Sequence, residues 1–395
     1  MLIAVIGGKL QGLEAIYLAK KAGWKTLLID KNKNAPASKL CDYFLEFEFS
    51  KENSIPPDLI IYNSILSCIP CIDIILPAVE DPEVLHLLLD WSQAKNIALA
   101  FDPGAYAISS SKIESDRLFQ EMNLPIPQPW PGCKFPVMIK PDNESGSRGI
   151  KIVENQTELS NQLKNSSFSE NMVIQEFVDG PSYSIEVIGK PGYYHAFQVT
   201  ELGMDKNWDC NQVKAPADLP ENKAIEFKKT AIAIAEKIQL NGIMDLEAIY
   251  HNNELKLLEI DARLPSQTPM TVYFSTGINM VEILINQVLN RKIKTKIKFE
   301  QPVWIEHIKV TGSQIEFPGE HLMAQDGPLI LKPKFLGTDE ALTSFHKNKH
   351  KWVATMIFTG LSFDEIKGKR DLCYKNIRAC QHRISRKQPE TGIKK

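Results

Sequence analysis

Apolar and polar positions follow two different periods along the first hundred residues. Short apolar runs, which are typical of buried strands, alternate with stretches of helical spacing. The apolar runs are 2–7, 26–30, 43–49, 72–77 and 97–101, and the helical stretches are 13–23 and 82–96. Strands that alternate with helices predict a parallel sheet covered on both faces.

A different order begins after residue 105. A serine N-cap signal predicts a helix over 109–123, and five prolines between 125 and 136 end it. Strand-like runs then dominate, apart from a helix predicted over 226–240. The runs are 137–141, 150–154, 172–178, 182–189, 193–202, 242–250 and 254–262. The polar stretch 251–253 predicts that the last two form a hairpin.

The length of 395 residues predicts two or three domains. After residue 300 the pattern predicts a strand over 352–360 and a helix near 364–384. A hydrophobic fraction of 43%, a charged fraction of 24% and a net charge of −2 are typical of a soluble globular protein. This balance favours neither nucleic acid nor an anionic membrane as a partner. Residues 364–395 carry ten Lys/Arg against four Asp/Glu, and we interpret this basic stretch as a solvated tail.

The chain shows no sign of secretion or of a disulfide framework. Its first residues read as a buried strand rather than a signal peptide, and no apolar run is long enough for a membrane span, so we expect a cytoplasmic protein. Seven cysteines are an odd number, and the single pair at Cys68 and Cys71 lacks the further ligands that zinc requires.

A glycine-rich turn, VIGGKLQGLE, joins the first strand to the first helix over 5–14. A dinucleotide-binding turn needs glycines at positions 7, 9 and 12, but Lys9 stands in the middle of that pattern. Its side chain would crowd a pyrophosphate, so we expect Lys9, Leu10 and the helix start to face an amino-acid substrate instead. Asp30 ends the second strand, where dehydrogenases hold a ribose, and an NAD-dependent oxidoreductase is therefore a competing hypothesis.

Two lysines and a glycine/serine loop predict a polyphosphate site. Lys112 lies on the predicted helix and Lys140 ends a strand. The loop that follows contains Ser145, Gly146 and Ser147, and backbone N–H groups in such loops can surround phosphate oxygens.

Carboxylates alternate along both strands of the predicted hairpin. Asp245 and Glu247 share one face of the first strand, and Glu259 and Asp261 share one face of the second, with Arg263 following. If the strands pair there, three or four carboxylates converge, and such a cluster requires cations such as Mg²⁺.

The order of these features resembles the ATP-grasp superfamily over nearly the whole chain. That family commonly carries E…E-x-N-x-R, and Glu247, Glu259, Asp261 and Arg263 match it with Asp in place of Asn. The resemblance implies an α/β and α+β architecture of three domains: an N-terminal Rossmann-like parallel-sheet domain over 1–105, a central ATP-grasp domain over 106–300 and a small C-terminal mixed α/β domain over 301–395.

The same resemblance assigns roles to residues. Lys112, Lys140 and the loop would contact the phosphates of ATP, and Glu247, Glu259 and Asp261 would bind two Mg²⁺ ions. Lys140 and Arg263 would stabilise the transferring phosphoryl group. The adenine would lie against Glu176, Phe177 and Val178. Related sequences often carry a ribose-binding glutamate near the position of Ser182, where this chain has no carboxylate, so either Glu186 holds the ribose or the ribose is held differently.

Within the superfamily, the opening GGKLQG resembles the GGGQLG of purine-pathway carboxylases, and the likeness to the PylC ligases of pyrrolysine biosynthesis is closer. It is carried by the stretch 5–23, by LLIDKN, by KPDNESGSRGI and by LEIDARLPSQTP. It implies that ATP drives the joining of the 3-methyl-D-ornithine carboxylate to the ε-amine of L-lysine through an acyl phosphate.

Substrates with ammonium and carboxylate groups need polar partners. Glu80 follows the fourth predicted strand, at the sheet edge where ligands gather. Asp205 and Asp209 lie in a loop-like stretch, and Ser266 and Thr268 could bind a carboxylate. The sequence is also compatible with a different ATP-grasp ligase or carboxylase, with a non-catalytic nucleotide-binding module, and with assembly as a homodimer.

Overall fold

The computed structural model describes residues 1–53, 72–143, 147–164, 172–346 and 349–385. The Cys68 and Cys71 pair, the loop residues Ser145 and Gly146 and the last ten residues of the basic tail lie outside these ranges. The described strands form three sheets, and none of the described helices combines the length and apolarity needed to cross a bilayer.

The N-terminal sheet is parallel, as the alternation of strands and helices predicts. Its strands lie in the order β3-β2-β1-β4-β5, and most of their apolar residues are buried. The strands are β1 (Leu2–Ile6), β2 (Lys25–Asp30), β3 (Tyr43–Glu46), β4 (Ile74–Pro77) and β5 (Ala98–Leu99), and the accompanying helices are α1 (Leu10–Lys21) and α2 (Pro82–Lys95). A short 3₁₀ helix covers Pro36–Lys39.

A small three-stranded antiparallel sheet follows, in the order β7-β6-β8. Its strands are β6 (Val137–Pro141), β7 (Lys151–Val153) and β8 (Met172–Glu176), and the neighbouring helices are α3 (Pro103–Ser109), α4 (Lys112–Glu121) and α5 (Gln156–Lys164). The helix predicted over 109–123 is thus shorter at its start, because the Ser111 side chain accepts a hydrogen bond from Glu114 N and begins α4 there.

The third sheet contains eleven strands and extends through the rest of the chain. They are β9 (Ser182–Lys190), β10 (Tyr193–Ala196), β11 (Thr200–Met204), β12 (Cys210–Ala215), β13 (Gly242–His251), β14 (Glu254–Asp261), β15 (Val303–Thr311), β16 (Gln314–Glu316), β17 (Ile330–Pro333), β18 (Glu340–Thr343) and β19 (Lys351–Thr359). Its helices are α6 (Glu221–Lys237), α7 (Thr268–Thr276), α8 (Met280–Val288), α9 (Glu320–Met323) and α10 (Phe363–Ser385), with a 3₁₀ turn at Phe335–Gly337.

This sheet crosses the domain boundary predicted at residue 300. Strand β12 pairs with β15, for example Val213 with Ile305, so residues on both sides of the boundary belong to one sheet. The largest apolar core is also shared, because α1, α7, α8, β15 and β19 all contribute buried residues to it. The N-terminal sheet is therefore packed firmly against the segment that follows the carboxylate hairpin.

Candidate active site

The two predicted phosphate-binding lysines are brought together by a third residue. Asp142, directly after β6, accepts hydrogen bonds from Ser111 Oγ and Ile113 N, both at 2.9 Å. It thereby ties the start of α4, which carries Lys112, to the end of β6, which carries Lys140. Burial lowers the pKa of Lys140, whereas nearby Glu259 and Asp116 act in the opposite direction.

Both lysines line a long cleft between the small sheet and the eleven-stranded sheet. The cleft has an empty volume of about 1100 Å³, counting the part open to solvent. Apolar side chains from both sheets line it together with the two lysines and two hairpin glutamates, and Lys112 Nζ lies 3.5 Å from Glu259 Oε2. The lining includes Lys112, Met138, Lys140, Ser147, Arg148, Glu176, Phe177, Val178, Leu202, Met204, Trp208, Glu247, Ile249, Leu258 and Glu259. An apolar slot that ends in cations and carboxylates suits a nucleoside polyphosphate.

The three residues predicted to hold adenine are Glu176, at the end of β8, and Phe177 and Val178, which follow it, and all three line the cleft. The Glu176 carboxylate is occupied by Lys256 Nζ at 2.6 Å. The backbone N–H groups of Glu176 and Phe177 donate to the carbonyl oxygens of Gln128 and Pro136. These two N–H groups are therefore already used. A base bound by the trio would be contacted by the carbonyl oxygens or by the N–H of Val178.

The carboxylate hairpin pairs as the period-two pattern predicts. Glu247 lies directly opposite Glu259, and Asp245 lies directly opposite Asp261. Burial and the neighbouring carboxylates raise the pKa of Glu247 to about 8 and that of Asp261 to about 7. Without a cation, protons must offset the negative charge here, so this donor set favours a divalent ion.

No group of three acidic, histidine or cysteine side chains in the described part of the chain is arranged to hold a metal ion by itself. Mg²⁺ is usually bound by one or two carboxylates together with substrate phosphates. The carboxylate oxygens of Glu247, Glu259 and Asp261 therefore fit Mg²⁺ only as part of a site that the phosphates of ATP complete.

Arg263 bridges the ATP-binding half to the N-terminal sheet. Its Nη2 lies 2.9 Å from Asp261 Oδ2, and its Nε lies 2.9 Å from Glu80 Oε1. Glu80 also accepts a hydrogen bond from Gln11 Nε2 at 2.8 Å. Glu80 is thus placed at the predicted site, but its carboxylate is engaged by Arg263 rather than left for a substrate ammonium group.

The two aspartates predicted in a substrate loop have structural partners. Asp205 and Asp209 form the turn between β11 and β12, and Asp205 Oδ1 accepts hydrogen bonds from Asn207 N and Asp209 N. Asp209 lies 2.9 Å from His321 Nδ1 and accepts from His321 N. Both carboxylates therefore fasten this turn to the start of α9.

The predicted ribose residue is placed away from the cleft. Glu186 is fully buried on β9, where it lies opposite Asp245 and beside Thr268, and it does not line the cleft. Burial raises its pKa to about 7. Buried against the sheet interior, Glu186 cannot reach a ribose in the cleft, and Thr268 likewise points to the interior rather than to a substrate carboxylate.

A second pocket lies between α1, the start of α7, and strands β15, β18 and β19. It has an empty volume of about 270 Å³, counting the part open to solvent. Its lining comes from five separate parts of the sequence: Leu10, Leu13, Glu14, Ser266, Gln267, Met270, Ile305, His307, Leu342 and Thr355. Two residues predicted for substrate, Leu10 and Ser266, therefore share one pocket, whereas Lys9 is exposed at the helix start.

The glycine turn is packed upon itself. Gly7 has a φ of +98°, and a Cβ on Gly12 would lie 1.9 Å from the Gly7 carbonyl oxygen, so both positions require glycine. Gly8 N donates to Asp30 Oδ2 at 2.6 Å. The carboxylate that an oxidoreductase would use for a ribose is thus bound to the turn itself, which removes the feature that favoured an oxidoreductase.

Several residues of the site were not anticipated. Arg148 and Trp208 line the cleft, and Ser147 Oγ donates to the Trp208 carbonyl oxygen at 2.6 Å, which links the phosphate loop to the adenine end. Arg148 follows the predicted Gly/Ser loop directly and could have been found from that position. Asp142, Glu14 and His307 gave no sequence signal, because their partners lie far away in the chain.

Comparisons with known proteins agree with this geometry. Residues 109–267 match the model of an ATP-grasp domain. The 3-methyl-D-ornithine–L-lysine ligase of Methanosarcina acetivorans is 37% identical over 330 residues, covering 83% of this chain and 81% of that protein. The ligase of the same name from Methanosarcina mazei is 36% identical over 329 residues, covering 83% and 80%.

Two solved structures share the fold at low sequence identity. An ADP complex of N5-carboxyaminoimidazole ribonucleotide synthetase has a TM-score of 0.66 and 16% identity, with 96% of this chain and 97% of that one covered. The biotin carboxylase domain of the Hydrogenobacter thermophilus 2-oxoglutarate carboxylase, solved with MgADP, ADP and bicarbonate, has a TM-score of 0.68 and 14% identity, covering 91% and 86%.

Proposed function

The chain belongs to the family of 3-methyl-D-ornithine–L-lysine ligases, which are ATP-grasp enzymes of pyrrolysine biosynthesis, and on that premise we propose the reaction that its site performs. ATP drives the joining of the 3-methyl-D-ornithine carboxylate to the ε-amine of L-lysine, and ADP and phosphate are released. The observation that carries this proposal is the meeting of Lys112, Lys140 and the Glu247–Glu259 pair at one end of the cleft.

The first step forms an acyl phosphate. A carboxylate oxygen of the donor attacks the γ-phosphorus of ATP, and the bond from that phosphorus to the β–γ bridging oxygen breaks, so that ADP leaves. Lys140 and Lys112 lie where they can bind the phosphate oxygens and offset the charge that develops on them. Bound Mg²⁺, held by Glu247, Glu259 and Asp261, would neutralise further charge on the phosphates.

The second step forms the amide. The neutral ε-amine of lysine attacks the acyl carbon, and the acyl phosphate collapses with loss of inorganic phosphate and a proton. The protein contributes mainly by holding the two reactants in contact and by excluding water, which would otherwise hydrolyse the acyl phosphate. Arg263, which lies 2.9 Å from both Asp261 and Glu80, would bind either the donor carboxylate or the transferring phosphoryl group.

The test is ADP release by the purified chain with ATP and Mg²⁺. We expect release that needs both 3-methyl-D-ornithine and L-lysine, with one amide product per ADP by mass spectrometry. Release that instead requires aminoimidazole ribonucleotide and bicarbonate would show a carboxylase. ATP binding with no turnover on either pair would leave only a nucleotide-binding module.

A further inference from the structure

Asp142 is a buried carboxylate that neither step of the proposed reaction uses. It follows β6, two residues after Lys140, is 6% exposed, and is not among the described residues that line the cleft. Its Oδ1 accepts hydrogen bonds from Ser111 Oγ and from Ile113 N, each at 2.9 Å. Its backbone carbonyl oxygen accepts a third, from Lys112 N at 3.4 Å. One residue after β6 therefore holds Lys112 and both of its neighbours in the chain.

The start of α4 does not need Asp142 as its cap. Ser111 is a favourable N-cap residue, and its Oγ already accepts a hydrogen bond from Glu114 N at 3.2 Å. The other N–H groups of a first helical turn can be satisfied by water. Because the hydrogen bonds of Asp142 cross from one element to another, they instead fix the distance between α4 and the end of β6.

The two lysines on these elements form an unfavourable pair when no anion lies between them. Lys140 is 6% exposed, and burial lowers its pKa, with the nearby charge of Lys112 acting in the same direction. Like charges at such a distance repel each other, and phosphate oxygens between them would remove the repulsion. Glu259 Oε2 lies 3.5 Å from Lys112 Nζ and offsets part of the charge, but it belongs to β14 and does not join α4 to β6.

We propose that Asp142 is a positioning residue for the nucleotide: it holds the Lys112 ammonium group at the distance from Lys140 at which both bind the phosphates of one molecule. This rests on the proposed function only in that ATP occupies the cleft. Lys140 is held independently, because it pairs with Val173 of β8 within the small sheet. Asp142 therefore acts through Lys112, and its loss should have the same consequence as loss of that lysine.

A double-mutant cycle on the full-length chain tests this proposal. Binding of MgATP is measured by isothermal titration calorimetry without amino acids. We expect Lys112→Met and Asp142→Ala each to raise the Kd by about 10-fold, a typical cost of losing one hydrogen bond to a charged group. The double variant should bind no more weakly than Lys112→Met, because Asp142 then has no lysine to position. Additive effects, about 100-fold in the double variant, would overturn the proposal.

Adenosine separates the phosphate contacts from the rest of the cleft. It carries no phosphate, so its Kd should stay within about twofold of wild type in all three variants, since it offers the lysines no anion. If Asp142→Ala weakened adenosine as much as MgATP, the variant would have distorted the whole cleft, and the proposal would be wrong.

A conservative variant and a matched control examine the contacts themselves. Asp142→Asn keeps an oxygen that can accept both side-chain hydrogen bonds, so it should bind MgATP more tightly than Asp142→Ala. Asp102 caps α3 by accepting hydrogen bonds from Gly104 N and Ala105 N, both at 3.0 Å, and is not among the described residues that line the cleft. Asp102→Ala should leave the Kd unchanged. An Asn variant no better than Ala, or a control as weak as Asp142→Ala, would contradict the assignment.

Since Asp142 is buried, thermal unfolding checks that its variants fold, and Ser111→Gly provides an independent change. Glycine is accepted at an N-cap, so α4 should still begin there, but the hydroxyl that donates to Asp142 is lost. We expect the Kd for MgATP to rise about threefold, with no further rise when Ser111→Gly is added to Lys112→Met. An additive effect there would overturn the proposal even if Asp142→Ala did not fold. None of these measurements requires ligation, so failure of the proposed function would be a separate result.

Discussion

The cleft and the second pocket are built in opposite ways. The cleft is formed by one continuous part of the chain, within residues 109–267, and its reactive end is dense in charge. The second pocket is assembled from five segments of the chain, and its walls are mostly apolar. The cleft thus carries the charged groups that phosphoryl transfer requires, whereas the second pocket has no lysine or arginine among its described lining residues.

The largest difference between the two regions should follow from loss of a cleft carboxylate. Glu259→Gln removes a charge that faces Lys112 at 3.5 Å and is proposed to hold Mg²⁺. We expect kcat to fall by about 100- to 1000-fold, the usual cost of one electrostatic contact in the transition state. Steady-state ADP release measures this, and Glu254→Gln, exposed on the same strand, is the control.

Loss of the bridge between the two regions should have a smaller effect. Glu80→Gln keeps an oxygen beside Arg263 but removes the negative charge that pairs with it at 2.9 Å. We expect kcat to fall by about 10-fold, with KM for ATP nearly unchanged, because the variant alters the position of Arg263 rather than nucleotide binding. Glu83→Gln, exposed on α2, is the matched control. An equal fall in both variants would exclude a positioning role for Glu80.

The last prediction concerns stability rather than turnover and belongs to the second pocket. Since the pKa of Glu14 is raised from 4.5 to about 8 in the folded chain, the folded state binds a proton that the unfolded state releases between these values. Stability from this group is therefore full below about pH 4.5 and is lost as pH rises towards 8, at no more than about 1.4 kcal/mol per pH unit.

Glu14→Gln should flatten this part of the pH profile, because the amide does not titrate. Urea unfolding of substrate-free protein at pH 5.5 and 7.5 measures the change, and Glu300→Gln, an exposed loop residue, should leave the profile as in wild type. A profile that is equally steep in both variants would show that Glu14 does not titrate with a raised pKa.

The same contrast explains what could be predicted from the sequence. The pairing of Glu247 with Glu259 follows from a period of two on both strands and a polar turn between them, which are local signals. The parallel first sheet and the ATP-grasp fold were also predicted from patterns within short stretches, and both predictions are confirmed. Helix α7 was not anticipated, because its stretch TPMTVYFST is largely buried and lacks an amphipathic pattern.

Most differences between the predicted and the observed site arise from side-chain partners that are distant in the chain. Asp205 and Asp209 lie in a stretch that was predicted to be a substrate loop. In the structure their carboxylates accept hydrogen bonds from the backbone N–H groups of Gly319 and His321, more than a hundred residues later. Glu80 was expected to hold an ammonium group and is instead bound by Arg263. His307 could not be singled out, since only folding places it opposite Leu10.

The central claim is that the chain makes its amide through an acyl phosphate, and oxygen transfer tests it most directly. 3-Methyl-D-ornithine labelled with ¹⁸O in its carboxylate is ligated to L-lysine, and the released phosphate is analysed by mass spectrometry. The account predicts one ¹⁸O atom in each inorganic phosphate, since the attacking oxygen leaves with it. Amide product accompanied by unlabelled phosphate would contradict the account.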